Sequence, residues 1–202
     1  VISNINGDAN VPFYKELGNV GIDATDIPVV AFSVGEEELA GLDTSPLVGH
    51  LAAWNYFMSS DSEENDSFIS SWHSFTGDDN RVTNDPMEAT VIGFNMWSKA
   101  VEMAGTTEVD IVRPAMYGLT VPNLTGGIAV MNTNHHLTKP VLIGEILEDG
   151  QFEIVYETPA GVIGDAWTDF LPESANIVAD WTSPILCGNY NIKTGTCSGQ
   201  NY

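Results

Sequence analysis

The sequence predicts an α/β fold, and three observations carry the prediction. Residues 1–5 are an apolar segment, residues 11–17 a short helical pattern and residues 27–33 a second apolar run, which together make a β-α-β unit. The stretch 27–32 (IPVVAF) is continuously apolar, as strands buried on both faces of a parallel sheet are. After Gly118 the apolar period becomes two, over 127–131, 140–147 and 151–157, which predicts antiparallel strands.

The elements follow in order. Residues 1–5 read as a buried strand and Asn6–Asn10 as a polar turn. Asn10 is placed to cap the first helix, with Pro12 in its first turn and Gly18 just past its end. Residues 47–57 read as a further strand running into a connector, and 59–67 as a charged loop. Phe68, Ile69, Trp72 and Phe75 fall at i, i+1, i+4 and i+7, which predicts an amphipathic helix ended by Gly77. The strongest helix pattern starts at Asp85 as cap, with Pro86 in the first helical position and Glu88 completing a capping box. Phe94, Trp97, Val101 and Ala104 form its apolar stripe, and Gly105 stops it. A third helix over 108–117 meets Pro114, which ends or kinks it. Asp149–Gly150 marks a hairpin, and the segment from residue 158 reads as an extended tail. The chain starts on a strand with no initiator Met, so the expectation is a piece of a longer protein.

Six basic residues stand against 28 acidic ones among 202, a formal net charge of −22. Such a surface offers no stripe of cations to neutralise phosphates, which excludes nucleic acid and anionic membrane as partners. No run approaches the roughly 18 apolar residues that a bilayer span needs. Cys187 and Cys197 sit in a Gly/Asn/Thr-rich stretch and can close a small disulfide loop, which points to an oxidising compartment; two free thiols are the alternative.

Catalytic chemistry finds little support. There is no nucleophile elbow, no glycine-rich phosphate loop and no calcium loop. His135 and His136 are adjacent and would point to opposite faces of a strand, so a turn suits them better than a metal. No cofactor is called for. Two polar clusters stand out by position: Asn6, Asp8 and Asn10 follow the first strand, and Ser33, Gly35 and Glu36 follow the second. Ligands of open α/β sheets bind outside the carboxyl ends of strands. Asp8 and Glu36 would share one rim there, with Trp54 or Tyr56 as an aromatic wall. Such a rim suits urea or a short amide, whose N–H groups need oxygen acceptors. Plain turn, cap and core roles for the same residues are the competing reading.

The segments 6–22 (NGDANVPFYKELGNVGI), 27–43 (IPVVAFSVGEEELAGLD), 47–57 (LVGHLAAWNYF), 82–107 and 121–146 resemble the urea-type substrate-binding protein of an ABC transporter, in the group of short-chain amide and branched-chain amino-acid binding proteins. The resemblance spans almost the whole chain but only about the C-terminal half of such a protein. It implies a type I periplasmic-binding-protein fold, with two α/β lobes and ligand in the cleft between them. It further implies a second-lobe segment at 1–52, a helical return to the first lobe at 53–122, second-lobe strands at 123–170 and a tail at 171–202. By the same resemblance Glu36 occupies the position of an acidic ligand contact, and Asp8 or a neighbour lines the cleft. The expected ligand-binding set is Glu36, Asp8, Asn6, Ser33 and Trp54. The expected partners are a small neutral amide and the permease of an ABC importer, in the periplasm, with no chemistry performed. An amide-sensing regulator and an amide hydrolase are the alternatives.

Overall fold

The computed structural model describes residues 1–165 and the short strands Tyr190–Asn191 and Thr196–Cys197. It divides into a unit of Val1–Gly164 and a unit of Asp165–Tyr202. The larger unit holds a mixed five-stranded sheet, a three-stranded antiparallel sheet and five α-helices.

The main sheet contains β1 (Ile2–Ser3), β2 (Val30–Ala31), β3 (Leu51–Trp54), β7 (Leu142–Ile146) and β8 (Phe152–Glu157), in the order β1-β2-β3-β7-β8. The first three are parallel and in register, with Ile2 beside Val30 and Val30 beside Leu51. The last three are antiparallel, and the turn at Gly150 (φ 79°) closes the β7–β8 hairpin as Asp149–Gly150 predicts. Helix α1 (Asn10–Asn19) covers this sheet, with Tyr14, Leu47, Phe57, Leu142, Ile146 and Phe152 in the core between them. Phe57 stacks on Phe152 at 4.5 Å between centroids. Gly144 lies directly under them, where a Cβ would come within 2.9 Å of the Phe57 ring.

The second layer contains α3 (Glu63–Thr76), α4 (Asp85–Ala104) and α5 (Val109–Ala115), with a small sheet of β4 (Thr120–Pro122), β5 (Ile128–Met131) and β6 (Leu137–Thr138). At 20 residues α4 is about 30 Å long. Its Ile92 and Met96 pack on Val121, Ala129 and Met131. Gly77 and Gly105 end α3 and α4 in the left-handed conformation, as their positions predict. Pro114 sits in the last turn of α5. The two adjacent histidines do lie in a turn, between β5 and β6, where His135 has φ 62°.

Several local expectations are corrected. Residues 1–5 are not a buried strand: β1 is the edge of the sheet, and Val1 and Ile2 are exposed. An edge strand has one neighbour only, so its apolar character does not report burial. Asn10 is inside α1 rather than capping it, and α1 runs through Gly18. Gly18 is there for close approach, since a Cβ would lie 2.9 Å from Pro46. The acidic stretch 59–67 is half helix: Ser62 caps α3 by accepting from Asn65 N. Asn84, not Asp85, caps α4, and Glu88 makes no capping box. The buried stripe of α4 is Glu88, Ile92, Met96 and Ala100, not the one through Phe94 and Trp97. Strands β4 and β6 had no separate signal. The proposed Cys187–Cys197 pairing and most of the tail lie outside the described residues.

Candidate ligand rim

Because β1, β2 and β3 are parallel and in register, the segments that leave their carboxyl ends emerge at one edge of the sheet. The first carries Asn6 and Asp8, the second Ser33 and Glu36, and Trp54 is the last residue of β3. All five predicted residues therefore belong to one rim.

Asn10 fixes the first two segments against each other. It is buried, and its Nδ2 donates to Ile5 O at 3.2 Å and Ser33 O at 3.0 Å. Asn6 and Asp8 are exposed; Asn6 is the extended residue before a single 3-10 turn, Gly7–Ala9, which holds Asp8 and whose Gly7 has φ 56°. Ser33 is half-buried and offers its carbonyl to Asn10. Gly35 lets the Trp54 indole lie across the corner: a Cβ at Gly35 would sit 2.6 Å from Trp54 Cζ3. The Gly35 N–H is in turn held by Glu38 Oε2 at 2.9 Å. Trp54 is half-buried, with its ring also packed on the core.

Glu36 opens the one-turn helix α2 (Glu36–Leu39) and is almost fully buried. Its Oε1 accepts from Met58 N, in the chain leaving β3. Its Oε2 is buried with no hydrogen-bond partner among the described residues. Among the described residues it has no ion pair. Burial pushes its carboxyl up to about 8, opposed by the Met58 N–H and reinforced by the charges of Glu38 and Asp85. Near neutral pH this side chain is a protonated acid. It can donate through one oxygen while accepting at the other.

Tyr56 does not serve as an open aromatic wall. It is fully buried, and its hydroxyl is shared with Asn65 Oδ1 (2.6 Å) and Thr83 Oγ1 (2.7 Å). It belongs to a second polar cluster between the two layers, which sequence reasoning missed. There Lys139 Nζ pairs with Glu88 Oε2, both buried, Asp85 Oδ2 accepts from Asn55 N at 2.9 Å, and Asn55 Nδ2 donates to Pro140 O at 2.6 Å. Burial pushes the Asp85 and Glu88 carboxyls up, and the Lys139 ammonium opposes it. These bonds tie the two chain segments that connect the layers, one leaving β3 and one entering β7. The available signal was Lys139 itself, one of only six basic residues, beside Pro140 and an apolar run.

A cavity of about 710 Å³ lies elsewhere, between α1 and residues 41–47, lined by Val11, Tyr14, Lys15 and Pro46 among others. None of the five rim residues lines it. Among the described residues no group of three or more His, Cys, Asp or Glu is placed to hold a metal ion, and no helix is long and apolar enough to cross a membrane.

The Periplasmic binding protein domain family matches residues 1–173. The chain belongs to this family. Its architecture is the type I periplasmic-binding-protein fold, as solved relatives show at the level of the fold. The solute-binding protein of an ABC transporter from Rhodopseudomonas palustris HaA2, in complex with p-hydroxybenzoic acid, aligns with TM-score 0.67 and 21% identity, over 78% of this chain and 44% of that one. An R. palustris ABC-transporter solute-binding protein in complex with benzoate aligns with TM-score 0.69 and 16% identity, over 82% and 44%. The leucine-, isoleucine-, valine-, threonine- and alanine-binding protein of Brucella ovis, in its closed conformation, gives 0.62 and 14%, over 78% and 42%. A curated relative, the limonene hydroxylase of Geobacillus stearothermophilus, is 31% identical over 134 residues, which are 66% of this chain and 24% of that protein. This periplasmic binding protein domain thus spans less than half the length of those solved relatives.

Proposed function

We propose that this chain is the ligand-holding part of an ABC-importer solute-binding protein for urea or a short-chain amide. It acts in the periplasm, delivers its ligand to a permease and performs no chemistry. The observation that carries the reading is the shared rim. Three in-register parallel strands bring Asn6, Asp8, Ser33, Glu36 and Trp54 to one carboxyl edge, in a chain of the periplasmic binding protein family.

The chemistry of the rim favours a small neutral guest. Asn6 and Asp8 offer exposed oxygen acceptors for N–H groups, and Trp54 offers a flat apolar surface. Glu36, a neutral acid near pH 7 with one unsatisfied oxygen, complements an amide, which carries both an acceptor and donors. A net charge of −22 disfavours the carboxylate ligands named for the R. palustris relatives, because the field of the whole protein repels anions. In the full two-lobed protein, hinge closure over the ligand gives the form that the permease reads. Urea has four non-hydrogen atoms, and at about 1.5 kcal/mol each its best affinity is about 6 kcal/mol, a Kd of roughly tens of micromolar.

Titration calorimetry of the full-length protein tests the site. Asp8→Ala and Glu36→Ala are each expected to weaken urea or acetamide binding about tenfold, the value of one lost hydrogen bond. Unchanged affinity in both variants would remove the rim as the binding site.

A further inference from the structure

The cavity of about 710 Å³ between α1 and residues 41–47 has the size of a small-molecule site, for which roughly 300–1,000 Å³ is usual. Val11, Leu42, Pro46 and Leu47 give it an apolar lining. Polar groups enter from facing sides: Tyr14 and Lys15 from α1, Asp43 from the opposite segment. All three have bonding capacity that the fold leaves open. Tyr14 is 1% exposed, and its hydroxyl has no hydrogen-bond partner among the described residues. Burial pushes that hydroxyl up to about 12, so it is neutral and can both donate and accept. Lys15, one of six basic residues in the chain, makes no ion pair among the described residues. The Ser45 hydroxyl (2.6 Å) and N–H (3.1 Å) both donate to Asp43 Oδ1. They hold this carboxyl below the usual carboxylate range, so it is ionised at neutral pH, and its Oδ2 is left over.

We infer that this cavity is a second ligand site, for a short apolar peptide with both termini free. An ammonium and a carboxylate on facing walls, not paired with each other, match a guest that carries a carboxylate at one end and an ammonium at the other. In a single amino acid both charges sit on one carbon. A dipeptide or tripeptide separates them by one or two further residues, at up to about 3.5 Å each, and can reach both walls. Its apolar side chains suit Val11, Leu42, Pro46 and Leu47. The peptide group between its ends offers an N–H and a C=O, either of which the Tyr14 hydroxyl can meet. Such a zwitterion has no net charge, so the field of a chain at −22 does not repel it. None of the rim residues lines this cavity, so the site stands whichever ligand the rim takes.

Titration calorimetry of the full-length protein with the peptides Val-Leu and Ala-Val-Leu tests this. Saturable heat is expected from at least one of the two, and none from free leucine. Lys15→Gln is expected to weaken peptide binding about tenfold, and so is amidation of the peptide's C-terminus in the wild-type protein. The amidated peptide should lose nothing more in Lys15→Gln, because both changes remove the same contact. Asp43→Asn and acetylation of the peptide's N-terminus should pair in the same way. Tyr14→Phe is expected to weaken binding about fivefold, the value of one neutral hydrogen bond. It should leave the guanidinium unfolding midpoint unchanged or raised, since the hydroxyl makes no hydrogen bond among the described residues. No heat from either peptide overturns the inference. So does peptide heat that Lys15→Gln and Asp43→Asn both leave unchanged, and so does leucine binding as tightly as the peptides.

Discussion

Two buried glutamates in this molecule are solved in opposite ways. Glu88, on α4, is fully buried and neutralised by Lys139. Glu36, at the sheet rim, is equally buried and accepts from backbone N–H groups, that of Met58 among them, with no ion pair among the described residues; one oxygen of each glutamate lacks a hydrogen-bond partner there. The first is what an interior does with a charge it must keep: a cation offsets part of the desolvation, although burial still pushes the Glu88 carboxyl up. The second has backbone N–H groups but no paired cation among the described residues, and the group holds its proton up to about pH 8 instead. The difference separates a structural brace, which ties the connecting segments together, from a corner whose polar capacity is left unused by the fold itself.

The largest expected effect comes from breaking the brace. Lys139→Met strands the Glu88 carboxylate, which should cost about 3–5 kcal/mol in guanidinium unfolding. Guanidinium is the denaturant to use, since urea is the proposed ligand. Adding Glu88→Met to it should recover much of that loss, because the pair is then replaced by apolar volume. If the single variant is as stable as wild type, Lys139 is not the partner that the geometry gives.

The next test concerns pH at the other glutamate. The folded-state value of Glu36 lies above its unfolded value of about 4.5, so the folded protein binds the extra proton. Its contribution is fully present below pH 4.5 and is lost as pH rises through about 8. Glu36→Gln mimics the neutral acid and should remove that decline. Relative to wild type the variant should gain stability between pH 5 and pH 8, by an amount of the order of a few kcal/mol. Parallel pH profiles for the two proteins would show that Glu36 is not the group responsible.

Asn10→Ala probes how firmly the rim is assembled. It removes two hydrogen bonds that join the segments after β1 and β2 and should cost about 1–3 kcal/mol, read by the same unfolding curve. The smallest effect is global. Raising salt from about 0.1 to about 1 M screens the repulsion of a surface with net charge −22 and should raise the melting temperature by roughly 5 °C. A fall on adding salt would mean that attractive pairs outweigh that repulsion.

Much of the fold was legible because its strongest signals are local. Gly77 and Gly105 close their helices in the left-handed conformation, a demand that glycine meets without strain. Asp149–Gly150 sits in the one kind of turn that its residues favour. What failed depended on neighbours far along the chain. Asp85 and Asn84 both suit an N-cap, and only Asn55, 30 residues away, decides that Asp85 is used elsewhere. The two faces of α4 are both apolar, so periodicity alone could not choose the one against the small sheet. Gly18 reads as a stop and serves as a contact with Pro46. At the rim, strand order and the β-α-β pattern were enough to bring Asp8 and Glu36 to one edge. They could not tell that Asp8 would be open and Glu36 covered, since that turns on Met58 N reaching the carboxylate.

The central claim is that the rim selects a small uncharged amide over the anions and amino acids named for its structural relatives. Calorimetric titration of the full-length protein with urea, acetamide, benzoate and leucine, at pH 7 and low salt, tests it most directly. The account predicts saturable heat with urea or acetamide at a Kd of roughly tens of micromolar, and none with benzoate or leucine. Tight binding of benzoate or leucine, with no heat from either amide, would contradict it.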